Sequence, residues 1–246
     1  MGARPRFRNV LAHVRAVRPD IEDPVAAIRE RRLVVGGVVI LEPASTVRSD
    51  AGVVLRRARR LRGSVKLAAA LDAFRIDVTG QACLDVGAAA GGFTTVLLER
   101  EARLVYALDA GFGQLRGSLR SDPRVVSLER TNLANAWRVI PREPPIELMT
   151  VDLSYLSLRE ALPQLTNLTF APTAHLVALV KPMFELTLDR APRDARSLGE
   201  ARARASRAAR GAGWGGAEVV ASPVRGANGT VEFFIHGRYR GAPAQG

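Results

Sequence analysis

From about residue 61 onward the sequence reads as an α/β domain, a mostly parallel sheet covered on both faces by helices. Short apolar runs alternate with amphipathic segments, the order that βαβ units require. Several of those runs close on a charged side chain or a glycine-rich turn, where an open α/β sheet places its ligand crevice. With 47% hydrophobic and 24% charged residues, the composition is that of an ordinary globular protein, which excludes wholesale disorder and collagen-like or coiled-coil architectures. The chain has 246 residues and a mass of 26.5 kDa, room for one such domain and a small appendage.

The elements follow in order. Residues 1 to 60 predict a helix over Asn9 to Val17, a proline-bounded segment from Pro24 to Arg32, and a hairpin whose valine-rich halves flank Gly36-Gly37. AGVVLRR at 51 to 57 supplies a further short strand. From there ACLDVG, RLVYALD and RVVSLE read as strands, with FTTVLLER and GQLRGSLR as the helices between them. IELMTVD, the helix SLREALPQL, AHLVALVKP, an Ala/Arg-rich helix from Gly199 to about Arg210, EVVASPV and TVEFFIHG complete the set, with a hairpin at the end. Leu186 to Ser197 lacks periodicity and reads as a mobile loop.

The longest apolar run, Leu33 to Leu41, is about half the ~20 residues of a bilayer-spanning helix. MGARPRFRNV is basic but lacks an apolar stretch and cleavage site, so a cytoplasmic address is expected. A single cysteine, Cys83, cannot form an internal disulfide, and no Cys/His spacing suits zinc, so metal and redox centres are not expected. A net charge of +12 and a pI near 11.3 favour a polyanionic partner, RNA or DNA, over mere solubility. Arg29, Arg31, Arg32, Arg56, Arg57, Arg59, Arg60 and Arg62 concentrate that charge without interleaved aromatics, so phosphate and shape contacts would dominate, a solvated linker face being the plainer alternative. Of 36 basic residues, 34 are arginines and two are lysines, Lys66 and Lys181. Unlike Arg, Lys can shed its proton in a suitable environment, a chemical reason to keep it at two positions.

Asp85-Val86-Gly87-Ala88-Ala89-Ala90-Gly91-Gly92-Phe93 ends a strand and opens a helix, and its small residues would let a ligand approach the backbone. Asp109 closes the next strand, where a carboxylate can bind ribose hydroxyls. Dinucleotide enzymes share that layout, but an acid directly before the first glycine suits the cationic S-adenosylmethionine better than a pyrophosphate. A purely structural tight turn is the alternative. Asp152 and Lys181 each follow an apolar run, Lys66 lies upstream, and Glu232 interrupts the apolar strand TVEFFIH, where a carboxylate needs a cation. All four are expected to converge on one pocket.

Across about residues 62 to 237, RGSVKLAAALDAFRIDV, CLDVGAAAGGFTTVLLE, VYALDAGFGQL, DLSYLSLREALP, LVKPMFE and SPVRGANGTVEFFIHG together resemble the haemolysin-A-like (TlyA-type) rRNA ribose methyltransferases, with an FtsJ-like catalytic domain. That resemblance implies a Rossmann-like class I methyltransferase with a mostly parallel seven-stranded sheet over 61 to 246, after a degenerate S-four-like α+β RNA-binding module over 1 to 60. It implies a catalytic tetrad of Lys66, Asp152, Lys181 and Glu232. The cofactor would be S-adenosylmethionine, held by Asp85, Gly87, Ala88, Gly91, Gly92, Phe93, Asp109 and Asn132, and the partner ribosomal RNA or a ribosomal subunit. Lys181 is expected nearest the ribose hydroxyl, tuned by Lys66, with both acids orienting the amines. The family's usual Ser-Arg helix start is replaced here by Glu22-Asp23-Pro24, Lys66 follows GSV rather than GGL, and Thr95 stands where an acid is common. A noncatalytic RNA-binding or ribosome-assembly protein, and a methyltransferase for another substrate, are the alternatives. No amphipathic membrane helix supports haemolysis.

Overall fold

The computed structural model describes residues 6–56, 60–226 and 229–241. Two compact units result, one of residues up to Arg60 with Arg116–Ser118, the other of the remainder.

In the first unit, β1 (Phe7–Asn9) leads directly into α1 (Val10–Val17), whose first-turn amides on Leu11 and Ala12 donate to the Asn9 side chain. Helix α2 (Pro24–Arg29) opens with proline in its first turn, where no amide is needed, and is capped by Asp23. Strands β2 (Leu33–Val35) and β3 (Val38–Val39) form the anticipated hairpin across Gly36-Gly37, both at positive φ. β4 (Thr46–Arg48) pairs with β1, and β5 (Val53–Leu55) pairs with β2. β1 and β4 carry no apolar alternation that would announce them. Val10, Val14, Ile28, Leu33 and Val53 fill a small core.

The second unit begins with α3 (Arg62–Phe74), an element the sequence reading passed over; its stripe Leu67, Ala70, Leu71 and Phe74 is buried at helical spacing. Strands β6 (Ala82–Val86), β7 (Leu104–Leu108) and β8 (Val125–Leu128) alternate with α4 (Gly92–Glu99) and α5 (Gly117–Arg120), whose first two residues group with the first unit. After a 3-10 turn and α6 (Ala136–Val139) come β9 (Ile146–Val151), α7 (Leu158–Ala161), β10 (Phe170–Val180), α8 (Pro182–Glu185), α9 (Ala195–Gly211), β11 (Trp214–Ala221) and β12 (Phe233–Tyr239). Seven strands lie in the order β11-β12-β10-β9-β6-β7-β8, parallel from β10 to β8 and antiparallel at β12 and β11. The mostly parallel sheet and terminal hairpin are as expected. Leu84, Met149 and Leu176 face the core shared with α7 and α9, while Cys83, Leu148 and Val177 face that of α3 and α4.

Two boundaries differ from expectation. Helix α9 starts at Ala195 because Asp194 accepts from the Ser197 amide, so the irregular segment is Leu186–Asp194. Glu232 lies immediately before β12 rather than inside it, and it is still buried there. Among the described residues no helix is long and apolar enough to cross a membrane, and no group of His, Cys, Asp and Glu could hold a metal ion.

Candidate active site

The turn after β6 depends on its glycines. Gly87 has φ +83°, and a β-carbon there would collide with the Asp152 carbonyl oxygen. Gly91 caps α4 at φ +88° with no room for a side chain beside Leu119. A β-carbon on Gly92 would lie 3.1 Å from the Gly63 Cα, so α3 and α4 meet backbone to backbone, and Ser64 Oγ donates to the Gly92 carbonyl at 3.0 Å. The result is a cavity of about 330 Å³ lined by Gly63, Gly87, Ala88, Ala89, Phe93 and Asp152. Such a cradle, with almost nothing but backbone and methyl groups on one side, suits a flat adenosine-bearing cofactor. Asp109 ends β7 half-buried; its carboxylate accepts from the Ala89 amide at 2.8 Å and the Gly111 amide at 2.7 Å, which leaves lone pairs for ribose hydroxyls. Asn132 is exposed four residues beyond β8, ahead of a 3-10 turn, and Phe93 is buried against Phe234.

Asp85 corrects the sequence reading. Its side chain is fully buried beneath the turn instead of facing the cavity, and both oxygens are engaged, one by Thr94 Oγ1 at 2.6 Å and the other by Thr150 Oγ1 at 3.1 Å. Burial, partly offset by those two hydroxyls, pushes its carboxyl up to about 6. It braces β6, β9 and α4 under the turn.

The four tetrad residues form two ion pairs. Lys66, in the first turns of α3, is buried and contacts Glu232 at 2.5 Å; neither charge could remain so buried alone. Lys181 closes β10, extended ahead of Pro182 as a pre-proline residue prefers, and its Nζ lies 2.6 Å from Asp152 Oδ1. Nζ also donates to Ser154 Oγ at 2.8 Å. Ser154 was absent from the sequence reading; its signal is a hydroxyl two residues past Asp152, at the carboxyl end of β9. Lys66, Lys181, Ser154 and Glu232 line a second cavity of about 570 Å³ with an apolar part built from Met183, Phe184 and Val231. Arg190, Arg193 and Arg225 stand on its wall, three cations that the reading did not single out. Asp152 touches the first cavity, so it is the residue common to the cradle and the lysine pair.

The arginines expected to bind RNA divide by place. Arg29, Arg31, Arg56 and Arg60 are exposed, whereas Arg32 is occupied by Glu30 at 2.9 Å and the Arg56 carbonyl at 3.0 Å. Arg62 belongs to α3 and lines the smaller cavity. Arg57 and Arg59 lie outside the described residues.

Comparison with known proteins bears on this arrangement. The 16S/23S rRNA (cytidine-2'-O)-methyltransferase TlyA of Mycobacterium tuberculosis is 41% identical over 212 residues, 82% of this chain and 78% of that protein. The 23S rRNA (cytidine-2'-O)-methyltransferase TlyA of Campylobacter jejuni is 32% identical over 181 residues, 71% of this chain and 69% of that one. A crystal structure from Lactococcus lactis, described as that of a hemolysin, superposes with a TM-score of 0.68 at 33% identity, covering 75% of this chain and 92% of the other. The FtsJ-like methyltransferase family matches residues 59–239, a span that contains the glycine turn, both lysine–carboxylate pairs and all seven strands of the sheet, and the chain belongs to that family.

Proposed function

We propose that this protein transfers a methyl group from S-adenosylmethionine to a ribose 2′-hydroxyl of ribosomal RNA. The observation that carries the reading is the adjacency, through Asp152, of an adenosine-sized cradle and a lysine held by a carboxylate and a hydroxyl. An RNA substrate agrees with the net charge of +12 and with the arginines on the wall of the larger cavity. The related proteins are named for methylating cytidine 2′-hydroxyls in rRNA, which gives the acceptor atom.

When bound, S-adenosylmethionine supplies an electrophilic methyl group. Its adenosine would be held by Gly87, Ala88 and Ala89 of the turn and by the carboxylate of Asp109. A ribose hydroxyl is a weak nucleophile, so the protein's task is to place it and take its proton. Lys181 is the group placed to take that proton at Nζ. Asp152 and Ser154 hold Nζ from two directions and restrict where it can point. Lys66 and Glu232, paired with each other, form another part of the cavity wall. Arg190, Arg193 and Arg225 meet the phosphates on either side of the acceptor sugar, and the exposed arginines of residues 29 to 60 add phosphate contacts elsewhere on the RNA.

Calorimetry with S-adenosylmethionine tests the cradle: Asp109→Ala removes charge-assisted hydrogen bonds of about 1.5 to 3 kcal/mol, so affinity should fall more than about tenfold without unfolding. Labelled methyl transfer to total rRNA, followed by digestion to nucleosides, tests the reaction. Label in a 2′-O-methylnucleoside is the expected product, and label confined to a base would overturn the acceptor.

A further inference from the structure

Glu185, at the end of α8 and four residues after Lys181, is only 6% exposed. One carboxylate oxygen accepts from the Leu158 amide at 2.7 Å; the other is buried and has no hydrogen-bond partner among the described residues. Charged groups around it come from two elements, Glu160 and Arg159 of α7 and Arg204 of α9, and Arg204 Nη1 donates to the Glu185 main-chain oxygen at 3.4 Å. Burial pushes the carboxyl up. A buried acid with a single hydrogen bond is costly.

What it achieves is closure of a ring. Leu158 is the first residue of α7, so its amide has no acceptor within the helix, and the residue is too buried for water to serve. The segment from Asp152 to Leu158 is held at its start by the Asp152 amide on the Val86 carbonyl at 2.9 Å and at its end by Glu185. Between those ends it presents Asp152 and Ser154 to Lys181. Lys181 and Glu185 share one turn of chain, the Glu185 amide donating to the Lys181 carbonyl at 3.2 Å. Lys181, Asp152, the segment to Leu158, Glu185 and back to Lys181 therefore form a closed circuit, and the Glu185–Leu158 bond is the link that fixes its size.

We infer that Glu185 is a positioning residue for methyl transfer, latching the Asp152–Leu158 segment so that Asp152 and Ser154 grip Lys181; the inference rests on the proposed reaction. With two lysines in the chain, a protein labelled with 13C-lysine gives two Cε signals, and Lys66→Arg identifies which is Lys181. Glu185→Leu keeps the packing but not the acceptor, and Glu185→Gln keeps the acceptor without the charge. In Glu185→Leu the Lys181 signal should narrow and move toward that of a free lysine while the Lys66 signal stays in place. Single-turnover methylation should fall about 10- to 100-fold, the effect of a sub-ångström misplacement, with the KM for RNA and the cofactor affinity changed less than about twofold. Glu185→Gln should restore both the signal and the rate. An unmoved Lys181 signal in folded Glu185→Leu, or Glu185→Gln falling as far as Glu185→Leu, would overturn the latch. If Glu185→Leu does not fold, Glu185→Met serves the same test. Absence of rRNA methylation by the unaltered protein would remove the proposed function while the lysine spectra still decide whether the latch exists.

Discussion

Gly87 shows how a single residue joins two functions, since the Asp152 carbonyl occupies the space that a side chain would need. Gly87→Ala adds both that collision and a left-handed φ for a residue with a β-carbon, a cost of about 1 to 3 kcal/mol. Thermal unfolding should show that loss, and calorimetry should show cofactor affinity reduced more than about tenfold, because the turn must move to relieve it. Asp85 makes a different prediction. Its folded value of about 6 lies above the ordinary aspartate value near 4, so the folded state binds the proton more tightly and its burial costs stability increasingly as pH rises from about 4 to 6. Asp85→Asn removes that cost, so the melting temperature of the variant relative to the unaltered protein should climb between pH 4 and 7. A difference independent of pH would contradict the buried, proton-accepting carboxyl. The sequence placed Asp85 correctly at the end of a strand but not the direction of its side chain. Thr94 and Thr150, which decide that direction, come from elements 9 and 65 residues away.

Among the elements, the parallel strands are legible because each is a short apolar run between helix-like segments, β6, β7 and β9 being largely buried on both faces and β8 an edge strand with Val126 exposed. Helix α3 is not, since the residue at its cap position is Leu61, which offers no side-chain hydrogen bond, and its first turn carries Arg62 and Gly63 where a helix start would be announced by a polar cap. Leu186 to Ser197 reads as a loop from its lack of periodicity, the irregular part ends at Asp194, and its role depends on the fold: it brings Arg190 and Arg193 to the wall of the larger cavity. If those two guanidiniums meet phosphates, Arg190→Ala with Arg193→Ala should weaken RNA binding and lower the slope of log affinity against log salt by about 1.4 to 1.8, leaving S-adenosylmethionine affinity unchanged. Filter binding over a salt series measures this. A loss of affinity with the full slope retained would point to a structural role for the segment.

For the whole molecule, the tetrad was legible as four residues but not as two pairs: Lys66 with Glu232 and Lys181 with Asp152 are joined across 166 and 29 positions of chain, and only the sheet order brings them together. Ser154 and Glu185 escaped notice for the same reason. The arginine-rich first unit has its own core, and the second unit holds both cavities without it. Deleting residues 1 to 60 should therefore reduce rRNA affinity and flatten its salt dependence while cofactor binding persists. The central claim concerns Lys181, in a protein that has one other lysine, Lys66, among 34 arginines. Guanidinium keeps the charge but cannot take a proton at neutral pH. Single-turnover methyl transfer to rRNA at saturating cofactor, comparing Lys181→Arg with the unaltered protein, tests that claim most directly. Loss on the order of 10²- to 10⁴-fold with cofactor affinity retained is the predicted result, and a near-normal rate would contradict a proton-accepting Lys181.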